Sequence, residues 1–105
     1  MNAKNKYGVT ALMSAASISN VEIVKTLLNN GADVNAKATD GEYRGETPLT
    51  IAVAKKKEYR NLELVEALLN KGSTNDKNLR EALLIAKEIG YTEAVDILKK
   101  AGAKE

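Results

Sequence analysis

At residues 27–37 the sequence reads Leu-Leu-Asn-Asn-Gly-Ala-Asp-Val-Asn-Ala-Lys, a run of aliphatic residues that leads into a glycine. A second copy, Leu-Leu-Asn-Lys-Gly-Ser, occupies residues 68–73, and a weaker third, Leu-Lys-Lys-Ala-Gly-Ala, occupies residues 98–103. Residues 2–4 repeat residues 35–37 as Asn-Ala-Lys, at a spacing of 33 (35 − 2). Repetition at this period indicates a short stack of similar units, an architecture that serves as a binding scaffold.

The composition narrows the class of protein. The chain has 105 residues, enough for one domain, and its 16 basic and 14 acidic residues leave a net charge of +2. That balance argues against binding of nucleic acid or an anionic membrane by bulk charge. Cysteine and histidine are absent, which excludes disulfides and thiolate metal sites and removes the usual general base. No apolar run approaches a membrane span. We expect a cytoplasmic protein with no enzymatic activity, cofactor or metal.

Each unit is predicted to form a pair of helices. Thr10 and Thr47 are good N-caps for the first helix, and Pro48 suits the first helical position, where its missing N–H costs nothing. Asn20 and Asn61 hold equivalent positions and can cap the second helix. The second helices are predicted to end at glycines in a left-handed conformation, which are Gly31, Gly72 and Gly102.

The repeated motifs resemble the ankyrin repeat, whose pattern is Gly-x-Thr-Pro-Leu-His-x-Ala followed by Val-x-x-Leu-Leu-x-x-Gly-Ala. Residues 8–12 read Gly-Val-Thr-Ala-Leu, residues 45–49 read Gly-Glu-Thr-Pro-Leu, and residues 24–28 read Val-Lys-Thr-Leu-Leu. The third unit keeps only part of the pattern. The resemblance covers essentially the whole chain, and it implies an all-α fold, an ankyrin-type solenoid of three helix-turn-helix repeats with a projecting β-hairpin finger between repeats 1 and 2.

The resemblance also implies a single domain over residues 1–105. Repeat 1 is expected at about 5–37, repeat 2 with insertions at about 38–76, and a degenerate C-terminal cap repeat at about 77–105. In that last repeat, Asn78 and Glu81 have the spacing of a capping box. Repeat 1 keeps apolar residues such as Ile18 and Ile23, so we expect either a monomer or weak self-association through the N-terminal face.

Ankyrin-type arrays bind proteins through finger tips and the exposed side of each first helix, which together line a concave groove. We transfer these binding positions to the sequence one by one and add two residues of an inserted basic loop. The result is a predicted set of partner-binding residues. They are Lys6, Tyr7, Met13, Ser17, Tyr43, Arg44, Glu46, Thr50, Lys55, Tyr59 and Arg60. The resemblance therefore implies a non-catalytic protein–protein interaction module.

Two other functions stay open. The inserted loop Lys55–Arg60 places basic residues beside a tyrosine and could bind nucleic acid or an acidic ligand, although a charge run is more often a solvated surface loop. The chain could instead be a structural or designed scaffold without a native partner. The two insertions argue against an idealised design, which would keep its units equal in length.

Overall fold

The computed structural model describes residues 3–71 and 74–104. Within those ranges the chain forms helices and no strands, so the predicted all-α class is confirmed. The helices are α1 (Ala11–Ser17), α2 (Val21–Asn29), α3 (Pro48–Val53), α4 (Leu62–Lys71), α5 (Asp76–Glu88) and α6 (Thr92–Lys100), with a 3-10 turn at Lys57–Tyr59.

The helices form two parallel rows. The first helices stack as α1 on α3 and α3 on α5, and the second helices stack as α2 on α4 and α4 on α6. Leu12, Leu49 and Leu83 hold equivalent positions in the first row, and all three are fully buried. Burying each side chain stabilises the fold by about 1.5–3 kcal/mol. The three stacked helix pairs confirm the ankyrin-type solenoid that the sequence predicts.

Local capping follows the sequence closely. The hydroxyl of Thr10 accepts a hydrogen bond from the Met13 amide at 3.3 Å, and the Asn20 side chain accepts one from the Ile23 amide at 3.1 Å. Gly31 has φ +91° and Gly102 has φ +105°, as expected of left-handed helix stops. The third predicted stop, Gly72, lies outside the described residues. These caps satisfy backbone groups that each helix end leaves unpaired.

Asn78 does not have the role that the sequence predicts. The helix begins earlier, at Asp76, with Asn75 as its N-cap, so the predicted capping box at Asn78 is wrong. Asn78 is instead buried between repeats, where its amide group donates to the backbone oxygen of Val34 at 3.2 Å. The Thr47 hydroxyl donates to the Asn78 side-chain oxygen at 2.6 Å. One buried amide therefore joins the exit of repeat 1, the N-cap of repeat 2 and the first helix of repeat 3.

The finger between repeats 1 and 2 is held by one isolated bridge, between Ala38 and Arg44, without longer strands. The Ala38 amide donates to the backbone oxygen of Glu46 at 3.0 Å. The finger also rests on the N-terminal loop, because the Thr39 amide donates to the backbone oxygen of Tyr7 at 2.8 Å. Neighbouring loops are thus stacked in register with the helices they precede.

This loop stacking predicts unequal effects of two alanine substitutions. Gly8 and Gly45 have similar positive φ values of 75° and 78°, so alanine is strained by about 1–2 kcal/mol at either position. A Cβ at Gly8 would also lie 2.8 Å from the backbone nitrogen of Thr39, whereas one at Gly45 meets nothing within 4 Å. We expect Gly8→Ala to lower the free energy of unfolding by about 1–3 kcal/mol more than Gly45→Ala in urea denaturation. Equal losses would show that the two loops do not pack as described.

Candidate functional site

A groove of about 820 Å³ opens between the turn after α1, the finger and the loop after α3. We call it the finger–loop groove. Its lining includes six of the predicted binding residues, which are Ser17, Tyr43, Arg44, Glu46, Lys55 and Tyr59. Segments from two repeats, far apart in the sequence, therefore meet at one concave surface.

Three polar side chains tie the walls of the groove together. The hydroxyl groups of Ser17 and Tyr43 share a hydrogen bond between α1 and the finger. The ammonium group of Lys55 donates to the backbone oxygen of Ser17, at the end of α1. Partial burial lowers the pKa of Lys55 below its usual range. These contacts fix the shape of the groove before any partner binds.

Two predicted binding residues lie in the core. Met13 is fully buried and packs with Ala36, Ala38 and Ile51 beneath the finger. Thr50 is also fully buried, and its hydroxyl accepts from the Thr47 amide at 2.8 Å within a capping box. Neither side chain reaches the surface, so the prediction that they contact a partner is corrected: both support the groove from below.

Arg60 makes its contacts within the chain. Its guanidinium carbon lies 4.6 Å from the centre of the buried Tyr91 ring. Nη2 donates to the backbone oxygen of Ile89 at 3.0 Å, and Nε donates to that of Lys55 at 3.4 Å. Burial raises the pKa of Tyr91, the negative charge of Glu93 adds to the rise, and Arg60 opposes it. Arg60 thus fastens the inserted loop to repeat 3, a role that the charge run alone does not reveal.

Lys6 and Tyr7 lie outside the finger–loop groove. Tyr7 lines a separate depression, together with Asp40 and Gly41, and its side chain is partly exposed. The Lys6 ammonium nitrogen lies 5.1 Å from the centre of the Tyr7 ring. Tyr43 lines both depressions, so Tyr7 borders the finger on the side away from the groove.

The predicted set of partner-binding residues omits Lys56, and Ile18, which the sequence assigns to the N-terminal face, also lines the groove. Ile18 is 71% exposed in the turn after α1, and Lys56 is exposed on the inserted loop. The aromatic residue of that loop, Tyr59, is 66% exposed. The sequence does contain a signal for Ile18, because an isoleucine in the turn that ends a helix has no neighbouring helix to cover its side chain.

Glu46 occupies the root of the finger, where the pKa of its carboxyl group is raised. Partial burial is the largest cause, and the negative charge of Glu81 adds to it. A hydrogen bond from Thr50 and the positive charge of Lys37 oppose the rise. Lys37 and Glu81 form an ion pair at 2.9 Å that links the exit of repeat 1 to α5. The charges of this pair therefore act on the Glu46 carboxyl group in opposite directions.

Residues 3–71 and 74–104 contain neither a candidate metal site nor a candidate membrane span. Within those ranges no cluster of three or more acidic side chains could hold a metal ion. None of the helices there has the length and apolar character that a membrane crossing requires.

Comparison with known proteins identifies relatives with repeats of this kind. The family model described as ankyrin repeat matches residues 7–39 and 44–81, which together are more than half of the chain. Ankyrin repeat, SAM and basic leucine zipper domain-containing protein 1 of Dasypus novemcinctus is 31% identical over 102 residues, covering 94% of this chain and 21% of the relative. The protein of the same name from Rhinolophus ferrumequinum is 33% identical over 93 residues, covering 86% and 19%. The chain spans about a fifth of the length of these curated relatives.

The contacts of Arg60 predict that lysine cannot replace it. Arg60→Lys keeps the positive charge but loses the planar group that stacks on Tyr91 and the second donor. We expect the free energy of unfolding in urea to fall by about 1–2 kcal/mol. Arg80→Lys, at an exposed position of α5, is the matched control and should change it by less than about 0.5 kcal/mol. Similar effects of both substitutions would contradict the assigned role of Arg60.

Proposed function

The chain belongs to the ankyrin repeat family, and from that premise we propose that it binds a partner protein in the finger–loop groove, without catalysis. Ankyrin repeats are generally protein–protein interaction modules. The finer proposal assigns the contact to one end of the first-helix row, where α1, α3, the finger and the inserted loop converge. The repeated core residues then maintain the scaffold, while the residues that differ between repeats select the partner.

One observation carries this proposal. Ile18 and Tyr59 are among the most exposed large hydrophobic residues that the structure describes, and both line the same groove, Ile18 from the turn after α1 and Tyr59 from the inserted loop. Isolated exposed apolar residues are common, but two around one concavity are a feature of binding sites. Tyrosine is also favoured at interfaces because its rigid ring contributes contact area at little entropic cost.

Preorganisation of the groove supports the same proposal. The hydrogen bonds that join Ser17 to Tyr43 and to Lys55 connect three separate segments of the lining. A surface that is already ordered loses less conformational entropy when a partner docks. Binding here should therefore require no rearrangement of the repeats.

The alternative of nucleic-acid binding through the inserted loop receives less support. Lys55 and Arg60 provide two of the four cations of that loop, and both already bond to backbone oxygens. Lys56 and Lys57 remain as exposed cations. The expected cytoplasmic location, the monomeric or weakly self-associating state and the repeat boundaries stay predictions.

The proposal is tested by selecting binders to the immobilised protein from a random peptide library. Binders to the groove should lose about tenfold or more in affinity towards Ile18→Ser/Tyr59→Ser, because both rims of the groove become polar. Ile23→Ser/Leu84→Ser is the matched control, since those residues are also exposed, at 45% and 49%, but do not line the groove. If the selected binders keep their affinity for the groove variant and lose affinity for the control, the interface lies elsewhere. A library that yields no groove-dependent binders would also contradict the proposal.

A further inference from the structure

The finger–loop groove has an apolar centre. Ile51 and Ala54 of repeat 2 line the groove together with the exposed side chains of Ile18 and Tyr59, and we call these four residues the apolar centre. Ile18 belongs to the turn after α1, and Tyr59 belongs to the 3-10 turn of the inserted loop. An aliphatic or aromatic side chain of a partner could bury itself between these two residues, in the manner of an anchor residue at a protein interface.

Positive charge flanks this apolar centre on two walls. Arg44 lies on the finger and Lys56 on the inserted loop, and both are exposed. The ion pairs Lys25–Glu63 and Lys37–Glu81 of the described residues include neither flanking cation. The ammonium group of Lys55 adds a third positive charge within the lining.

The acidic residues of the lining do not cancel this charge. Glu42 and Glu46 both line the groove, so three cations face two acids and leave a net charge of +1. Glu46 sits at the root of the finger, where its side chain is half-buried. Glu42 is then the one exposed acid of the lining, and it lies on the finger with Arg44.

A peptide fits these features better than a nucleic acid does. A single strand would need several cations along its phosphates and exposed aromatic faces for its bases. Tyr43 is half-buried, with its hydroxyl bonded to Ser17, so Tyr59 alone of these two rings is well exposed. An apolar centre with one cation on the finger and another on the inserted loop matches a short peptide segment.

We propose that the finger–loop groove binds a peptide segment in which an aliphatic or aromatic side chain has Asp or Glu on both sides. The apolar side chain lies between Ile18 and Tyr59, and the flanking carboxylates pair with Arg44 and Lys56. The proposal rests on the proposed function above and adds the chemistry of the partner. Charge complementarity of this kind sets specificity and speeds association more than it raises affinity.

The test uses the groove-dependent peptides from the library selection, with a charge-reversed protein beside the wild type. Wild-type protein should enrich an apolar residue flanked by acids, and replacing those acids by Ser in a synthetic peptide should weaken binding by about tenfold in fluorescence anisotropy. Arg44→Glu/Lys56→Glu should bind the acidic peptide at least about tenfold more weakly and should select basic flanks instead. Lys4→Glu/Lys104→Glu makes the same change in net charge at exposed positions outside the groove and should behave as the wild type.

The outcomes separate this proposal from the proposed function. Groove-dependent peptides that lack acidic flanks, or that bind the charge-reversed variant unchanged, would overturn the acidic-peptide proposal and leave the protein-binding function standing. Absence of groove-dependent peptides would overturn both. Nucleic acid would replace the peptide as the ligand if a thymidine oligonucleotide bound the wild-type protein more tightly than every selected peptide and lost its affinity for the charge-reversed variant.

Discussion

Burial of aliphatic side chains between neighbouring helix pairs is the constraint on which the other features of this chain depend. Single helices of six to thirteen residues are marginal in water on their own. Stacking in two rows gives each helix an apolar neighbour, and Leu49 of α3 lies between the first helices of the outer repeats. Stability in such an array comes from the repeats and their interfaces together, so the middle repeat affects both ends.

The polar features depend on that stack. Thr47 and Asn78 belong to different repeats, and their hydrogen bond is protected from water because the helices around it are packed. A buried amide left without its partners would cost about 1–3 kcal/mol, so this bond also penalises a shifted alignment of repeats 2 and 3. The groove likewise exists because α1 and α3 lie side by side, which brings Lys55 to the end of α1.

The sequence predicts the local features well and the distant contacts poorly. Caps such as Thr10 and Asn20 depend on residues three positions away, so their spacing is visible in the sequence. The partners that Asn78 and Arg60 have in other repeats lie about thirty residues away or more, and no local pattern indicates them. The repeat pattern places Met13 on the binding face of α1. Met13 does lie on that helix, but Ala36 and Ala38 of the finger cover its side chain. The sequence predicts which segments form the groove surface. Which side chains form its buried floor and its exposed rims depends on tertiary packing, which the sequence does not show.

Native-state hydrogen exchange of Leu49→Ala tests the central claim most directly. The substitution leaves a cavity at the middle of the first-helix row and should cost about 2–5 kcal/mol. If neighbouring repeats stabilise one another, the amide protons of α1 and α5 should lose protection together with those of α3. Loss of protection confined to α3 and α4, with α5 and α6 unchanged, would show that the helix pairs are stable independently and would contradict this account.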